Sequence, residues 1–150
     1  MASVFITYGS TTGNTEYVAE SVQRTLEQSG HEVTLADVAD INAADLTKTY
    51  DLCCLGCSTW GDDEIELQDD FIPVFEDIEN TDLSGKNVVC FGCGDSSYEY
   101  YCGAVDAIEE ACKKAGASVL ADSLKIDGDP RAEQADIDAW AQDLAAKLNA

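Results

Sequence analysis

The sequence predicts an α/β domain in which a parallel sheet is covered by helices on both faces. Five apolar, β-branched or cysteine-rich runs alternate with segments of helical periodicity: SVFITY from Ser3, HEVTLADV from His31, DLCCLGC from Asp51, NVVCFGC from Asn87 and SVLADSLKI from Ser118. Runs such as DLCCLGC lack the apolar–polar alternation of a half-exposed strand, as expected of strands buried on both sides. At 150 residues, with no linker, repeat or low-complexity stretch, the chain fits one domain with a full hydrophobic core.

Each element has its own signal. The first helix reads from Asn14 to Ser29, with Val18, Val22 and Leu26 at four-residue spacing and Gly30 placed to end it. His31, the only histidine, follows at a strand start and is expected to be exposed. Between the third and fourth strands, LQDDFIPVFEDI reads as a shorter helix with Pro73 in or near its first turns. Ala104 to Ala115 forms another helix, closed by Gly116. The last runs from Asp129 to Leu148, where Ile137, Trp140, Ala141, Leu144 and Leu148 make one apolar stripe and put Trp140 in the core.

Composition narrows the function classes. Apolar residues at 45% exclude disorder, and no apolar stretch approaches the roughly 20 residues needed to span a bilayer. The opening MASVFITYGS has no basic segment leading into an apolar one and a cleavage site, so a cytoplasmic location is expected. Thirty acidic against eight basic residues give a formal charge of -22, which opposes binding to nucleic acid or anionic lipid and favours a basic partner. Seven cysteines without an export signal imply a reducing compartment. The pairs Cys54–Cys57 and Cys90–Cys93 have CxxC spacing, but both end strand-like runs, where residues three apart point to opposite faces. Buried thiols therefore outweigh a metal site, and no metal is expected.

In a sheet of this kind, ligands sit beyond the carboxyl ends of the strands. Three loops qualify: GSTTGNTE, STWGDDE and GDSSYEYYCG. In the first, Asn14 and Thr15 stand at a helix N-terminus, whose unpaired N–H groups and partial positive charge favour a phosphate. Ser10, Thr11, Thr12, Asn14 and Thr15 add neutral donors, and Gly9 and Gly13 permit tight turns. No lysine follows Gly13, as a triphosphatase loop would need, and Gly9 and Gly13 are wrongly spaced for a dinucleotide fingerprint. The loop has neither the thiolate and arginine of a cysteine phosphatase nor the acidic residues of a receiver domain. An ordinary capped strand-to-helix turn stays open on composition alone. The other two loops carry Trp60 and Tyr98, Tyr100 and Tyr101, which suggests a flat ring held between aromatics above the phosphate.

With these three loops in this order, the chain resembles the short-chain flavodoxins over essentially its whole length. GSTTGNTE matches the family's phosphate loop, GCSTWGDDE its tryptophan loop and CFGCGDSSYEYYCGAVDAIEE its tyrosine loop. The resemblance implies the flavodoxin-like fold: a doubly wound five-stranded parallel sheet of order 2-1-3-4-5 in three layers. It implies that Ser10, Thr11, Thr12, Gly13, Asn14 and Thr15 surround the phosphate of flavin mononucleotide (FMN), and that Trp60 and Tyr98 flank the isoalloxazine. Ser58, Thr59, Gly61 and Asp62 would line one side, and Cys93, Gly94, Asp95, Tyr100 and Cys102 would contact the ribityl chain and pyrimidine edge. Cys53, Cys54, Thr7 and Tyr101 depart from the residues usual in the family, without altering the implied cofactor.

The implied function is a low-potential one-electron carrier, shuttling between semiquinone and hydroquinone and performing no substrate chemistry of its own. Asp62, Asp63, Glu64, Glu66 and Asp95 would disfavour an anionic reduced ring, and the Gly61 peptide could turn its carbonyl toward a protonated flavin N5. The acidic rim would orient basic redox partners, namely cytochromes, ferredoxin-type proteins and flavodoxin-dependent reductases, in transient, salt-sensitive complexes with a monomer. Two rivals stay open at this point. A flavin-dependent reductase would want an open ring face and a longer chain, and a cofactor-free binding module would lack yellow colour.

Overall fold

The computed structural model describes residues 2–10, 13–60, 66–67, 69–94 and 103–148, with the side chains of residues 59, 60, 66, 67 and 69 excepted. In chain order the elements are β1 (Ser3–Gly9), α1 (Asn14–Gln28), β2 (Glu32–Asp37), β3 (Leu52–Cys57), β4 (Thr59–Trp60), β5 (Glu66–Leu67), α2 (Ile72–Ile78), β6 (Asn87–Gly94), α3 (Gly103–Lys114), β7 (Ser118–Val119), β8 (Leu124–Asp127) and α4 (Gln134–Leu148). Short 3-10 turns at Val38–Asp40, Ala43–Thr47, Asp69–Phe71 and Pro130–Glu133 fill the connections.

The main sheet is parallel and runs β2-β1-β3-β6, with β7 and then β8 along the far edge of β6. Counting β7 and β8 as one interrupted strand, this is the expected 2-1-3-4-5 order. The chain leaves β1 toward β2 and returns to the other side for β3, so the strand order reverses between β1 and β3. That reversal opens a crevice at the carboxyl ends of these two strands.

Alternation along each strand divides the core in two. Val4, Ile6 and Tyr8 of β1, with Leu52 and Cys54 of β3, pack under α1 and α4 against Val18, Val22, Leu26, Ile137 and Leu144. Phe5, Cys53, Leu55 and Cys57 face the other way, toward Val74 and Ile78 of α2 and Val105 and Ile108 of α3. Both faces are covered, which is why the strand runs show no polar alternation. The helix stops match their sequence signals: past Gln28 the chain turns through Gly30, and the His31 N–H reaches back to the Leu26 carbonyl at 3.1 Å.

Several expectations need correction. The fifth strand is not continuous: pairing breaks after Leu120, whose N–H still reaches the Val88 carbonyl at 3.0 Å, and resumes at Leu124; in the gap the Trp140 indole N–H donates to the Asp122 carbonyl at 2.8 Å. Trp140 is accordingly half-buried rather than core, its ring edge-on to Phe91 at 6.1 Å, because an indole N–H needs a partner that a fully apolar site cannot offer. The last helix begins after a 3-10 turn capped by Asp129, whose side chain accepts the Arg131 N–H at 2.9 Å. A two-stranded antiparallel sheet, β4 with β5, was not legible in the sequence.

His31 is buried, at 4% exposure, against the expectation of a surface position. Its Nδ1 accepts the Ala2 N–H at 3.1 Å and its Nε2 lies 3.4 Å from the Ala145 carbonyl, tying the start of β1 to the last turn of α4. Nearby, at the amino ends of the strands, Ala2, Asp51, Asn87, Leu120, Lys147 and Leu148 line a cavity of about 380 Å³. No helix of the described residues is long and apolar enough to cross a membrane.

Candidate cofactor site

The site is built where β1 and β3 end. Beyond Gly9 the chain enters the hydroxyl-rich loop, and beyond Cys57 it enters Ser58; the two are joined by the Ser58 N–H, which donates to the Gly9 carbonyl at 3.3 Å. Gly13 occupies the N-cap position of α1 at φ +90°, a left-handed conformation that glycine adopts without strain. Its N–H donates to Ser10 Oγ at 3.1 Å.

Among the described residues, no side chain makes a capping hydrogen bond at the start of α1, whose N-cap residue is Gly13. A helix N-terminus leaves its first N–H groups without intrahelical partners, so here they remain for a ligand. Beside them, Thr15 Oγ1 and Ser58 Oγ lie 2.8 Å apart in a buried hydrogen bond, with Thr15 at 0% and Ser58 at 6% exposure. The pair sits at the strand-order reversal, linking the first turn of α1 to the segment after β3. Two hydroxyls sharing one hydrogen bond still have a further donor hydrogen and lone pairs to offer.

At the next strand end, Gly94 closes β6 beside the buried Cys93, and its carbonyl accepts the Gly128 N–H at 2.9 Å. Gly92 backs directly onto β3: a Cβ there would lie 2.2 Å from the Cys57 carbonyl oxygen and 2.6 Å from Val105 Cγ2. The three strand ends are thus held in close register by backbone contacts.

Of the residues expected at the site, the structure brings together Ser10, Gly13, Asn14, Thr15 and Ser58 around the end of β1, with Cys93 and Gly94 at the end of β6. The backbone of Thr59 and Trp60 forms β4 and pairs with Leu67 and Glu66. Thr11, Thr12, Gly61, Asp62, Asp95, Tyr98, Tyr100 and Cys102 lie outside the described residues. The Thr15–Ser58 link was not foreseen, since residues 43 apart in sequence are joined by the sheet rather than by any local pattern.

The CxxC pairs divide between the two faces of the sheet. Cys57 and Cys90 belong to the core under α2 and α3, and Cys54 and Cys93 to the core under α1 and α4. Neither pair can grip one ion, and the described residues contain no group of three or more His, Cys, Asp or Glu side chains suited to a metal.

Comparison with known proteins identifies the family. A family model described as flavodoxin matches residues 6–140. The chain belongs to the flavodoxin family. A flavodoxin of Nitratidesulfovibrio vulgaris (strain Miyazaki F) is 57% identical over 148 residues, covering 99% of this chain and 100% of that protein. One from Maridesulfovibrio salexigens is 55% identical over the same length and coverage. Among solved structures, oxidised flavodoxin 2 from Bacillus cereus superposes with a TM-score of 0.89 at 36% identity, covering 97% of this chain and 99% of that one. The chain is therefore an FMN-binding electron carrier and not an enzyme, and its partners are redox proteins. The semiquinone–hydroquinone cycle is the general function of the family.

The residues present fit that cofactor. The N-terminus of a 15-residue helix, whose N-cap is a glycine, and a buried pair of hydroxyls supply neutral donors for a phosphate. The loop from Tyr8 to Thr15 contains no Lys or Arg, so the dianion would be held by dipoles and hydroxyls alone.

Proposed function

We infer that this flavodoxin holds the FMN phosphate with Ser10, Thr11, Thr12, Gly13, Asn14, Thr15 and Ser58, and the ring with Trp60 and Tyr98. Thr59, Gly61, Asp62, Cys93, Gly94, Asp95, Tyr100 and Cys102 complete the pocket. The observation that carries this reading is the buried Thr15–Ser58 hydrogen bond beside the open end of α1. When bound, FMN supplies one-electron chemistry at its isoalloxazine.

The chain's own residues bind and orient. The α1 N–H groups and the loop hydroxyls fix the phosphate end, which sets where the ring enters between the tryptophan and tyrosine loops. The aromatics exclude water and a stacked substrate from the ring faces, leaving an edge for electron exchange. Acidic residues around that edge, Asp62, Asp63, Glu64, Glu66 and Asp95, favour a basic partner such as a cytochrome, a ferredoxin-type protein or a reductase. The net charge of -22 supports the same choice and opposes nucleic acid or anionic membranes.

The main sheet with a core on each face supports reading the 150 residues as a single domain; that it works as a monomer in the cytoplasm is part of the same proposal. Titrating the FMN-free chain with FMN and with riboflavin tests the site. Alanine at Ser10, Thr15 or Ser58 should weaken FMN far more than riboflavin. Equal loss for both ligands would remove these residues from the phosphate. Partner docking is read from electron-transfer rates at rising ionic strength, which should fall with a basic partner.

A further inference from the structure

Tyr8 and Glu16 bracket the phosphate loop. Tyr8 is the penultimate residue of β1 and Glu16 the third of α1, and the Tyr8 phenol donates to Glu16 Oε2 at 2.8 Å. The third helical position matters. In a capping box, a Glu there swings back to the backbone N–H at the N-cap and closes the helix end itself. Here the N-cap residue Gly13 gives its N–H to Ser10 Oγ instead, and the Glu16 carboxylate is held off by the phenol.

A carboxylate in the first turn also competes for the same positive helix end that a phosphate uses. Burial first, then the hydrogen bond to Glu16 and the charges of Glu16, Asp37 and Glu20, raise the Tyr8 phenol well above its usual range. It is thus a permanent donor at neutral pH. Tyr8 itself is 8% exposed and packed in the core under α1, so its hydroxyl is fixed in place by the ring's packing.

We propose that Tyr8 is a positioning residue that restrains Glu16 from capping its own helix and so keeps the N-terminus of α1 open for the FMN phosphate. Freed from the phenol, Glu16 would compete with Ser10 Oγ for the Gly13 N–H and place an internal anion at the helix end in competition with the ligand. This inference rests on the reading of residues 10–15 as the phosphate site.

The test is a set of dissociation constants for FMN, riboflavin and inorganic phosphate, measured on the full-length FMN-free chain by flavin fluorescence and competition. Tyr8→Phe should weaken FMN and phosphate by about fivefold, the scale of a helix-cap competition, and leave riboflavin within about twofold. Glu16→Ala alone should bind FMN at least as tightly as the parent. The double variant Tyr8→Phe/Glu16→Ala should recover parental FMN affinity, because alanine cannot cap.

A Tyr8→Phe protein with unchanged FMN affinity, or a double variant as weak as Tyr8→Phe, overturns the proposal. Should Tyr8→Phe fail to fold, Glu16→Ala decides: a loss of FMN affinity would mean that the bond itself, not the restraint, organises the loop. Thr15→Val separates this from the site reading, since a Thr15→Val protein with parental FMN affinity would sink the phosphate site and leave the Tyr8 result without an object.

Discussion

Thr15 Oγ1 and Ser58 Oγ meet at 2.8 Å in a buried hydrogen bond, so the first turn of α1 and the segment after β3 share a polar contact across the strand-order reversal. Removing one partner leaves the other buried without its bond, which costs about 1–3 kcal/mol. Thr15→Val and Ser58→Ala should each raise the FMN dissociation constant about tenfold, or about 1.4 kcal/mol. Combined, they should cost less than the sum, because both remove the same bond. Fluorescence titration of the two single variants and the double reads this directly, and strict additivity would count against a shared role.

Gly92 transmits packing to the same place. A methyl at this position would meet the Cys57 carbonyl oxygen at 2.2 Å, and a backbone atom of a central strand cannot swing aside as a side chain can. Gly92→Ala should lower stability by about 3 kcal/mol, at the upper end of overpacking costs. It should weaken FMN as well, since Cys57 immediately precedes Ser58. Urea unfolding and flavin titration check the two effects, and a variant with parental stability would show that β3 and β6 can part without penalty.

Thr7 offers the opposite experiment. Its hydroxyl lies at 0% exposure in the middle of β1 and is, among the described residues, a buried side-chain oxygen without a hydrogen-bond partner. Valine has the same shape without the polar atom. Thr7→Val should therefore raise stability by about 1 kcal/mol in urea unfolding, and a loss of stability would mean that the hydroxyl is satisfied in solution.

The core thiols make a prediction in pH. Burial pushes Cys53 up to about 11, with Lys86 pulling weakly the other way, and pushes Cys112 up to about 12. Burial likewise raises Cys54 and Cys90 above the usual thiol value of 9.0. Folded-state values above the unfolded one mean that the neutral thiols stabilise the fold fully below pH 9.0, and that this contribution is lost as pH rises through about 11 to 12. The unfolding midpoint should hold level on approach to pH 9 and fall beyond it. In the native protein at pH 8, these four thiols should resist alkylation, as judged by mass spectrometry of the labelled chain.

How much of this was legible in the sequence depends on the range of the interaction. The alternation of DLCCLGC and NVVCFGC with helical segments carries the sheet and its two covered faces, because periodicity reports which side of an element is buried. The helix stop at Gly30 was equally readable from local chemistry. His31 was misplaced because its partners, Ala2 and Ala145, lie 29 and 114 residues away, and no local pattern announces a histidine satisfied from two distant backbones. The break in the fifth strand escaped for the same reason, since it depends on an indole 18 residues downstream. Thr15 and Ser58 were each expected at the site, while their contact with one another exists only once the sheet has formed.

The cavity shared by Ala2 and Leu148 lies at the amino ends of the strands, opposite the carboxyl ends where the proposed flavin site stands. A surface or carrier anchored near either residue would hold the molecule upright, with the flavin end turned outward. Both attachment points share one base, so a single orientation would serve electrodes, fusions and labels alike.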